Sequence, residues 1–406
     1  MRGLPNQMNK KTITIIGSGP AALMLAARLD EYKFEINILE KGAAPGRKFL
    51  VAGDGGLNLT HSEPIQDFIG RYTPPEFLAE SLKSFTNDDL RKWFNTIGIE
   101  TFIGTSKRVF PKEGLRPIDV LNAILKVIRY KSAPIKPKNT WKGWNENNQL
   151  IIDHNYKDHT VTSDIVVFAM GGASWSSTGS DGKWLSIFAE KGIDTVNFQA
   201  SNCAFAIEWE PGFIDVFEGS PLKNIAVQCG SKQKKGEVVI TQFGIEGGAV
   251  YALSPEIRKQ LNDTQKATIY LDLKPSLSVA EIKKRLTPKG KKSLTALLTE
   301  ALHLPKPEIT LLKSILSKEE FINPNILAAK IKQLPIIINA LAPIEDAIST
   351  SGGIALHEVD EHFQLKKIPN QYAIGEMLDW DAPTGGYLLQ GSFSMGVALA
   401  NYLNVL

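Results

Sequence analysis

The stretch from Thr12 to Glu31 reads TITIIGSGPAALMLAARLDE, and it decides the fold. Its opening TITII is β-branched and almost wholly apolar, as in a strand that is buried on both faces of a parallel sheet. The GSGPAA turn is followed by apolar residues at helical spacing, so the stretch predicts a strand, a glycine turn and a helix. This order is typical of α/β proteins that bind a nucleotide.

The glycine turn predicts a site for a pyrophosphate. Gly17 permits the tight turn, Gly19 lets a pyrophosphate approach the backbone, and Ala22 is small enough for close packing of helix on strand. Backbone amides and the positive end of the helix dipole then face the phosphates. The predicted contacts are Gly17, Ser18, Gly19, Pro20, Ala21 and Ala22.

A second predicted strand, FEINILE, ends at Glu40. This acid lies about 20 residues beyond Gly19, where a carboxylate accepts hydrogen bonds from an adenosine ribose and disfavours a 2′-phosphate. FAD and NAD share the ADP half that this unit binds, so the unit alone does not separate them.

Composition narrows the class of protein. A chain of 406 residues predicts two or three domains, and its hydrophobic fraction of 43% is that of ordinary globular proteins. The formal charge of +3 gives little reason to expect nucleic acid or an anionic membrane as a partner, and no apolar run approaches the ~20 residues of a membrane span. Cys203 and Cys229 lie outside any CxxC pair, which favours the reducing cytoplasm. The predicted partner is therefore a small molecule.

Residues 40–63 read EKGAAPGRKFLVAGDGGLNLTHSE. They resemble a segment of a family of bacterial flavoproteins often called NAD(FAD)-utilizing dehydrogenases, relatives of aminoacetone oxidase and a bile-acid dienone reductase. Residues 166–182 and 372–400 also match, so the resemblance spans nearly the whole chain and implies noncovalent FAD. The matching signature residues are Glu40, Lys41, Gly46, Arg47, Lys48, Gly53, Gly55, Gly56, Asn58 and Thr60.

One departure from the family pattern concerns the second glycine cluster. Many members carry Gly-Arg-Cys-Asn there, whereas this chain has Gly56, Leu57 and Asn58. The chain is similar to a subgroup with Gly-Leu-Asn-Leu-Thr, and any role of that arginine or thiol is absent. The resemblance thus implies the cofactor but not the substrate.

Further cofactor contacts are expected at loops after buried strands and at a C-terminal helix. Arg47 and Lys48 are expected to neutralise the pyrophosphate, and the helix after Gly386 is expected to direct its amides at the flavin pyrimidine oxygens. The acids after the strand QYAI are expected, from the resemblance, to meet the ribityl or phosphate portion. These remaining contacts are Ala169, Gly171, Gly352, Gly353, Gly375, Glu376, Asp379, Gly385, Gly386, Gln390 and Met395.

The predicted fold class is α/β, with a discontinuous Rossmann-like FAD-binding domain over 1–190 and 341–406. Short alternating stretches predict an antiparallel, β-barrel-like insert over 191–275. Helical spacing then predicts a small helical subdomain over 276–340.

The predicted function is an FAD-dependent oxidoreductase that moves a hydride between the flavin and a small organic substrate. It is either an oxidase of a small amine or carbonyl compound, or a reductase of an unsaturated or carbonyl substrate that takes electrons from NAD(P)H. A flavin-binding redox sensor is the alternative from another class, and the near-neutral charge disfavours a nucleic-acid modifier.

No catalytic base and no metal-ligand cluster emerge from the sequence, and His61 is interpreted as an exposed loop histidine. The substrate, the electron partner, the oligomeric state and the choice of Met1 or Met8 as translation start stay open.

Overall fold

The structure is a computed structural model, and it describes residues 10–53, 56–287 and 293–406. The predicted tail before Lys10, the alternative start at Met8, Gly55 and the end of the basic run 283–292 lie outside the described residues. The chain forms two compact units. The first comprises Met1–Gln199 and Ile348–Leu406, and the second comprises Ala200–Ala347.

The regular elements of the described residues are numbered in chain order. The strands are β1 (Lys11–Ile16), β2 (Phe34–Leu39), β3 (Thr60–His61), β4 (Thr101–Ile103), β5 (Arg108–Pro111), β6 (Ile135–Lys136), β7 (Asn139–Trp144), β8 (Leu150–His154), β9 (Lys157–Val161), β10 (Ile165–Phe168), β11 (Thr195–Ser201), β12 (Phe205–Ala206), β13 (Pro221–Cys229), β14 (Lys232–Ile240), β15 (Gly244–Glu246), β16 (Ala267–Asp272), β17 (Leu334–Ile338), β18 (Ala340–Leu341), β19 (Ser349–Ile354) and β20 (Gln371–Ala373). The helices are α1 (Pro20–Arg28), α2 (Arg47–Ala52), α3 (Ile65–Ile69), α4 (Pro75–Ser84), α5 (Asn87–Thr96), α6 (Pro117–Tyr130), α7 (Trp184–Glu190), α8 (Pro211–Phe217), α9 (Gly248–Tyr251), α10 (Ser254–Thr264), α11 (Val279–Leu286), α12 (Leu294–Glu300), α13 (Lys306–Ile315), α14 (Lys318–Ile322), α15 (Pro324–Lys332) and α16 (Tyr387–Val405).

A parallel sheet in the order β20-β10-β1-β2-β6 is the centre of the first unit. β1 lies between its neighbours, with Ile16 opposite Leu39 of β2 and Phe168 of β10. The chain passes from β1 to β2 on one side and returns later to β10 on the other, so the strand order reverses at β1. Ligands of such sheets bind outside the carboxyl ends of the strands at this reversal. The Rossmann-like fold predicted from the opening stretch is confirmed.

Helices α1 and α16 pack directly on one another beside this sheet. Residues 21–27 of α1 are all buried, because their side chains are small or apolar on every face of the helix. A Cβ on Gly396 would lie 2.6 Å from the carbonyl oxygen of Ala21, so only glycine allows this approach. The contact joins residues from both ends of the first unit. None of the helices in the described residues is long and apolar enough to cross a membrane.

Two small antiparallel sheets in the first unit were not predicted from the sequence. One has the order β3-β5-β4, and the other has the order β7-β8-β9. Two tryptophans of β7 pack on the ring of Phe168 at the end of β10. Trp141 is tilted against it with a centroid distance of 4.9 Å, and Trp144 packs edge to face with a centroid distance of 5.5 Å. The second sheet therefore covers part of the parallel sheet.

The second unit contains a seven-stranded antiparallel sheet in the order β17-β16-β13-β14-β15-β12-β18. β17 and β18 lie at opposite ends of this order, yet only Asn339 separates them along the chain. A chain that passes between the two edges in one residue requires the sheet to curl round on itself. The antiparallel insert predicted from the sequence is confirmed, and its connectivity is barrel-like.

The domain limits differ from those that the sequence suggests. The second unit runs from Ala200 to Ala347, not from 191 to 340, and its helices share one hydrophobic core with its strands. Residues 334–338, predicted to lie in a helical subdomain, form β17, because a β-branched PIII run favours a strand once α15 has ended. Helices α11 to α15 are thus inserted between β16 and β17, which are neighbouring strands of one sheet.

Glu308 of α13 is a buried acid in this second unit. It is 1% exposed, and its Oε2 has no hydrogen-bond partner among the described residues. Burial raises its pKa from 4.5 to about 7, although Lys274 opposes the shift. Between these two values the unfolded chain has already released the proton that the folded protein still holds, so stability falls as the pH rises through this window.

We expect Glu308→Gln to remove this loss, because the amide carries no charge to bury. At pH 8 the free energy of unfolding should exceed that of the wild type by roughly 3 kcal/mol, and the difference should shrink towards pH 4.5. Urea unfolding at several pH values measures it. The exposed Glu319→Gln is the control, and equal pH slopes for Glu308→Gln and the wild type would contradict the expectation.

Candidate functional site

The turn after β1 leaves open space at the N-terminus of α1. Gly17 has φ of 101°, and a Cβ there would lie 2.4 Å from the carbonyl oxygen of Ala169, so the position requires glycine. A Cβ on Gly19 would meet nothing within 4 Å. Because the first amides of α1 have no partner within the helix, this space suits a phosphate.

Glu40 is fixed beside that turn. Its Oε1 accepts a hydrogen bond of 2.6 Å from the amide of Gly42, and its Oε2 accepts one from the hydroxyl of Ser18. The carboxylate at the end of β2 is thereby tied to the turn after β1, where a ribose next to the phosphates would reach it.

The loops that follow β10 and β20 meet the same turn. The amide of Ala169 donates to the carbonyl of Ile16 at 2.9 Å, and Gly171 has φ of 73°. A Cβ on Gly375 would lie 3.1 Å from the Cβ of Ala21 in α1. The predicted segments after β1, β2, β10 and β20 are therefore brought together at one edge of the sheet.

Lys48 and Glu376 neutralise each other at this edge. Lys48 Nζ lies 3.0 Å from Glu376 Oε2 and donates to Ser174 Oγ at 2.8 Å. Glu376 Oε1 accepts from the amide of Thr350 at 3.3 Å. The pair joins α2 to the loops after β10 and β20, and contact of Lys48 or Glu376 with a cofactor stays a prediction.

The other predicted charges have similar or more exposed positions. Lys41 Nζ forms an ion pair with Asp181 Oδ1 at 2.8 Å, while Arg47 is exposed at the start of α2. Gly46, just before it, has φ of 67° and packs against Leu121. Contact of Lys41 or Arg47 with a cofactor stays a prediction.

The packing of β19 accounts for the residue types at Gly352, Gly353 and Asp379. A Cβ would lie 2.5 Å from the carbonyl oxygen of Asn197 at Gly352, and 2.3 Å from that of Met377 at Gly353. Asp379 Oδ1 accepts from the amide of Gly352 at 2.9 Å. Their contact with a cofactor stays a prediction as well.

The N-terminus of α16 rests on β3. Gly385 and Gly386 have φ of 109° and 100°, and a Cβ on Gly386 would lie 2.5 Å from the Cα of Thr60. Thr60 Oγ1 and Asn58 Oδ1 are buried without a hydrogen-bond partner among the described residues. Since an unpaired buried polar atom is costly, these two atoms indicate a ligand that pairs with them, and they fit a cofactor held between β3 and α16.

Gln390 and Met395 lie deeper in α16 than the predicted cofactor end. Gln390 Nε2 donates to the carbonyl of Phe85 at 3.0 Å and to Ser394 Oγ at 3.0 Å, which fixes the turn between α4 and α5. Met395 is fully buried in the core, roughly 13 Å along the helix from Gly386. Gln390 Oε1 is buried without a hydrogen-bond partner among the described residues, and contact of Gln390 or Met395 with a cofactor stays a prediction.

A buried network beside the α16 N-terminus was missed by the sequence analysis. The hydroxyl of Tyr387 donates to Glu63 Oε1 at 2.6 Å, and Arg71 donates to both oxygens of Glu63 at 3.0 and 2.6 Å. His61 stacks on Tyr387 with ring centroids 5.3 Å apart, and the hydroxyl of Tyr72 donates to the carbonyl of Tyr387 at 2.6 Å. The position of Tyr387 directly after two glycines was the available signal in the sequence.

His61 is not the exposed loop residue that was predicted. It belongs to β3, its side chain is 14% exposed, and its Nδ1 accepts from the amide of Glu63 at 3.2 Å. The neighbouring strand β5 and the ring of Tyr387 exclude water from it. Burial lowers the pKa of His61, although Glu63 opposes the shift, which favours the neutral ring at neutral pH.

The groups of this network differ in their pKa values, and so in their charge at neutral pH. Burial acts to raise the pKa of Glu63, but the hydrogen bonds from Arg71 and Tyr387 outweigh it and keep this pKa low. Burial and the bond to Glu63 raise the pKa of Tyr387 far above its usual range. The site therefore holds an ionised pair of Glu63 and Arg71 beside a phenol that keeps its proton.

A group of possible metal ligands, Asp194, His357 and Glu358, lies at the surface of the first unit. Lys367 Nζ lies 2.6 Å from Glu358 Oε1, so an ammonium group already balances that carboxylate. His357 Nε2 contacts Asp194 Oδ2 at 2.9 Å, as a simple ion or hydrogen-bond pair does. The absence of a metal site stays a prediction.

Comparison with known proteins gives the family. The model of the HI0933-like protein Rossmann domain matches residues 11–402. The chain belongs to this family, and its fold is that of FAD-binding oxidoreductases.

Two characterised relatives have different substrates. The ribosomal RNA dihydrouridine synthase of Haemophilus influenzae is 25% identical, over 95% of this chain and 96% of the relative. The 3-dehydro-bile acid delta(4,6)-reductase of Clostridium scindens is also 25% identical, over 95% of this chain and 97% of the relative.

A similar solved structure is the 3-ketosteroid delta1-dehydrogenase of Sterolibacterium denitrificans, with a TM-score of 0.52 and 13% identity. The match covers 98% of this chain and all of the other. At this level of identity the likeness shows the fold alone.

We expect Gly19→Val to block the cofactor without unfolding the protein, because the added atoms enter space that no other protein atom occupies. The affinity for FAD should fall at least tenfold, as measured by titration of the cofactor-free protein. Gly212→Val is the control, since a Cβ there also meets nothing within 4 Å. Unchanged FAD affinity in Gly19→Val would place the pyrophosphate elsewhere.

Proposed function

We propose that this protein is an FAD-dependent reductase that saturates a carbon–carbon double bond conjugated with a carbonyl group. One observation carries the proposal. Two relatives that align with nearly the whole chain are named for the reduction of a double bond in a 3-keto steroid acid and for the formation of dihydrouridine from uridine. Both reactions change the same kind of bond.

The proposed reaction needs a hydride, a proton and an external reductant. FAD, when bound, supplies the hydride to the carbon β to the carbonyl, while a proton goes to the α carbon. NAD(P)H would be the external reductant and would leave as NAD(P)⁺. The substrate thus gains two hydrogen atoms and the nicotinamide loses the two electrons.

The residues of this chain would hold the cofactor at both of its ends. The open space at Gly19 and the carboxylate of Glu40 suit the ADP half. Asn58 and Thr60, whose side-chain oxygens lack partners, suit the flavin half next to the N-terminus of α16. The positive end of that helix would favour negative charge on the reduced ring.

Tyr387 is the proposed proton source: its O–H, which donates to Glu63 in this structure, would turn to the substrate, and solvent would restore the proton. It is the first residue of α16, and its neutral phenol is coupled through Glu63 to Arg71. A proton donor in the transition state typically contributes a rate factor of about a hundred or more. His61, stacked on the ring, would fix the orientation of the phenol.

The double bond has two possible sources, a free small molecule and a uracil ring within RNA. The formal net charge of +3 favours the small molecule, because RNA-binding proteins usually carry a strong basic excess. The RNA alternative is kept because a ribosomal RNA dihydrouridine synthase is as similar to this chain as the bile-acid reductase is.

An anaerobic reoxidation experiment tests the proposal. The flavin is reduced with NADPH, and then 4-androstene-3,17-dione, 2-cyclohexenone, uridine monophosphate or ribosomal RNA is added. Recovery of oxidised flavin together with a product that has gained two hydrogen atoms is expected. Flavin that is reduced by an amine and reoxidised only by oxygen would instead support an oxidase, and a flavin that no compound reduces or reoxidises would support a redox sensor.

We expect Tyr387→Phe to lower kcat about a hundredfold while the FAD content and KM stay near those of the wild type. Tyr72→Phe is the matched control, because it removes a hydrogen bond to the backbone of Tyr387 but leaves the phenol proton in place. A structural role would affect both variants alike. Equal kcat in Tyr387→Phe and the wild type would remove Tyr387 as the proton source.

A further inference from the structure

The small sheet β3-β5-β4 separates its side chains onto two faces. His61 is opposite Arg108, and Phe102 is opposite Phe110. Because side chains alternate along a strand, Arg108 and Phe110 share one face while Val109 points to the other. We call the face with His61, Arg108, Phe110 and Phe102 the recognition face.

The opposite face is closed at its centre, whereas Ile103 of β4 on that face is 47% exposed. Val109 and its partner Thr60 are fully buried. Phe102 is 47% exposed, and Phe110 is half-buried.

The two phenylalanines form a flat platform. Their ring centroids lie 5.6 Å apart with 24° between the planes. A Cβ would lie 2.9 Å from the Phe110 ring at Gly104 and 3.6 Å from it at Gly56, so glycine at both positions keeps side chains off the ring. Gly56 also lies two residues before Asn58, whose unpaired side-chain oxygen belongs to the candidate cofactor site.

Arg108 supplies a positive charge at one side of the platform. Its Nε would lie 3.2 Å from a Cβ on Gly385, so the guanidinium reaches the N-terminal turn of α16. Among the described residues no carboxylate lies within ion-pair distance of it, in contrast to Arg71, which Glu63 binds through both oxygens. An unpaired guanidinium beside the positive end of a helix attracts a carbonyl oxygen or an anion.

We propose that the recognition face binds the planar conjugated carbonyl ring of the substrate, with the ring on Phe102 and Phe110 and its oxygen on Arg108. This inference rests on the proposed function and names the substrate class for the same site. An arginine that donates to the carbonyl withdraws electron density from the double bond and favours hydride addition at the β carbon. Enone rings and uracil share this chemistry, so both sources of the ring remain in the test.

Binding to the oxidised, FAD-loaded protein provides a test that needs no turnover. The protein is titrated with 4-androstene-3,17-dione and, separately, with uridine monophosphate, and the shift of the flavin absorbance gives Kd. We expect Arg108→Gln and Phe102→Ser to raise Kd about tenfold or more for at least one probe, while the FAD content stays unchanged. Lys107→Gln is the control, because it removes an exposed charge from the same hairpin and should leave Kd within about twofold.

The two arms of the titration separate the sources of the ring. An Arg108-dependent Kd for the steroid identifies a free enone, and one for the nucleotide alone identifies a uracil ring. Loss of FAD in Arg108→Gln would overturn the inference, because Arg108 would then hold the cofactor. Equal Kd values in all variants, or no spectral response of the wild type to either probe, would overturn it too.

Failure of the proposed function gives a different result. If no double bond is reduced in the anaerobic experiment but the probes still bind in an Arg108-dependent way, the reductase proposal fails and ring binding at the recognition face stands. If reduction occurs with the same KM in Arg108→Gln and the wild type, the reductase proposal stands and the recognition face does not bind the substrate.

Discussion

The approach of Gly17 to the carbonyl of Ala169 is the contact on which the first unit depends. It allows β1 to turn directly beneath the end of β10, and the open space at Gly19 exists because of that turn. A side chain at Gly17 would push the two strand ends apart, and Glu40, which is tied to Ser18, would move with them. The geometry of the candidate cofactor site thus follows from a close backbone approach at one glycine.

Local signals in the sequence were sufficient for the elements of the sheet. The β-branched runs of β1, β2 and β10 and the all-apolar α1 are strong because tertiary packing and intrinsic preference agree. The antiparallel β7-β8-β9 sheet was missed because Gly143 interrupts β7 at a bulge and β9 carries almost no apolar residues. The limits of the second unit were wrong because its helices lie between strands that pair only at long range.

The parts of the candidate site that contain glycine turns could be predicted from the sequence, whereas the parts formed by side chains far apart in sequence could not. The turns at Gly17, Gly19 and Gly386 could be predicted because glycine is the residue that such turns favour. The positive φ angles of Gly17 and Gly386 require glycine at these two positions. The bond from Tyr387 to Glu63 joins residues that are 324 positions apart, so no spacing rule indicates it. Lys48 and Glu376 were found as charges, but their mutual neutralisation needed the fold to bring them together.

The order of elements along the chain has a consequence for biosynthesis. β20 and α16 follow the second unit in sequence, so the ribosome must complete Ala200–Ala347 before it releases the strand that covers the edge of β10. At ordinary translation rates this interval is on the order of ten seconds. During it the nascent first unit carries an unpaired apolar strand and an α1 without its partner helix. The apolar edge of β10 and the partner face of α1 therefore stay exposed until the last residues of the chain are made.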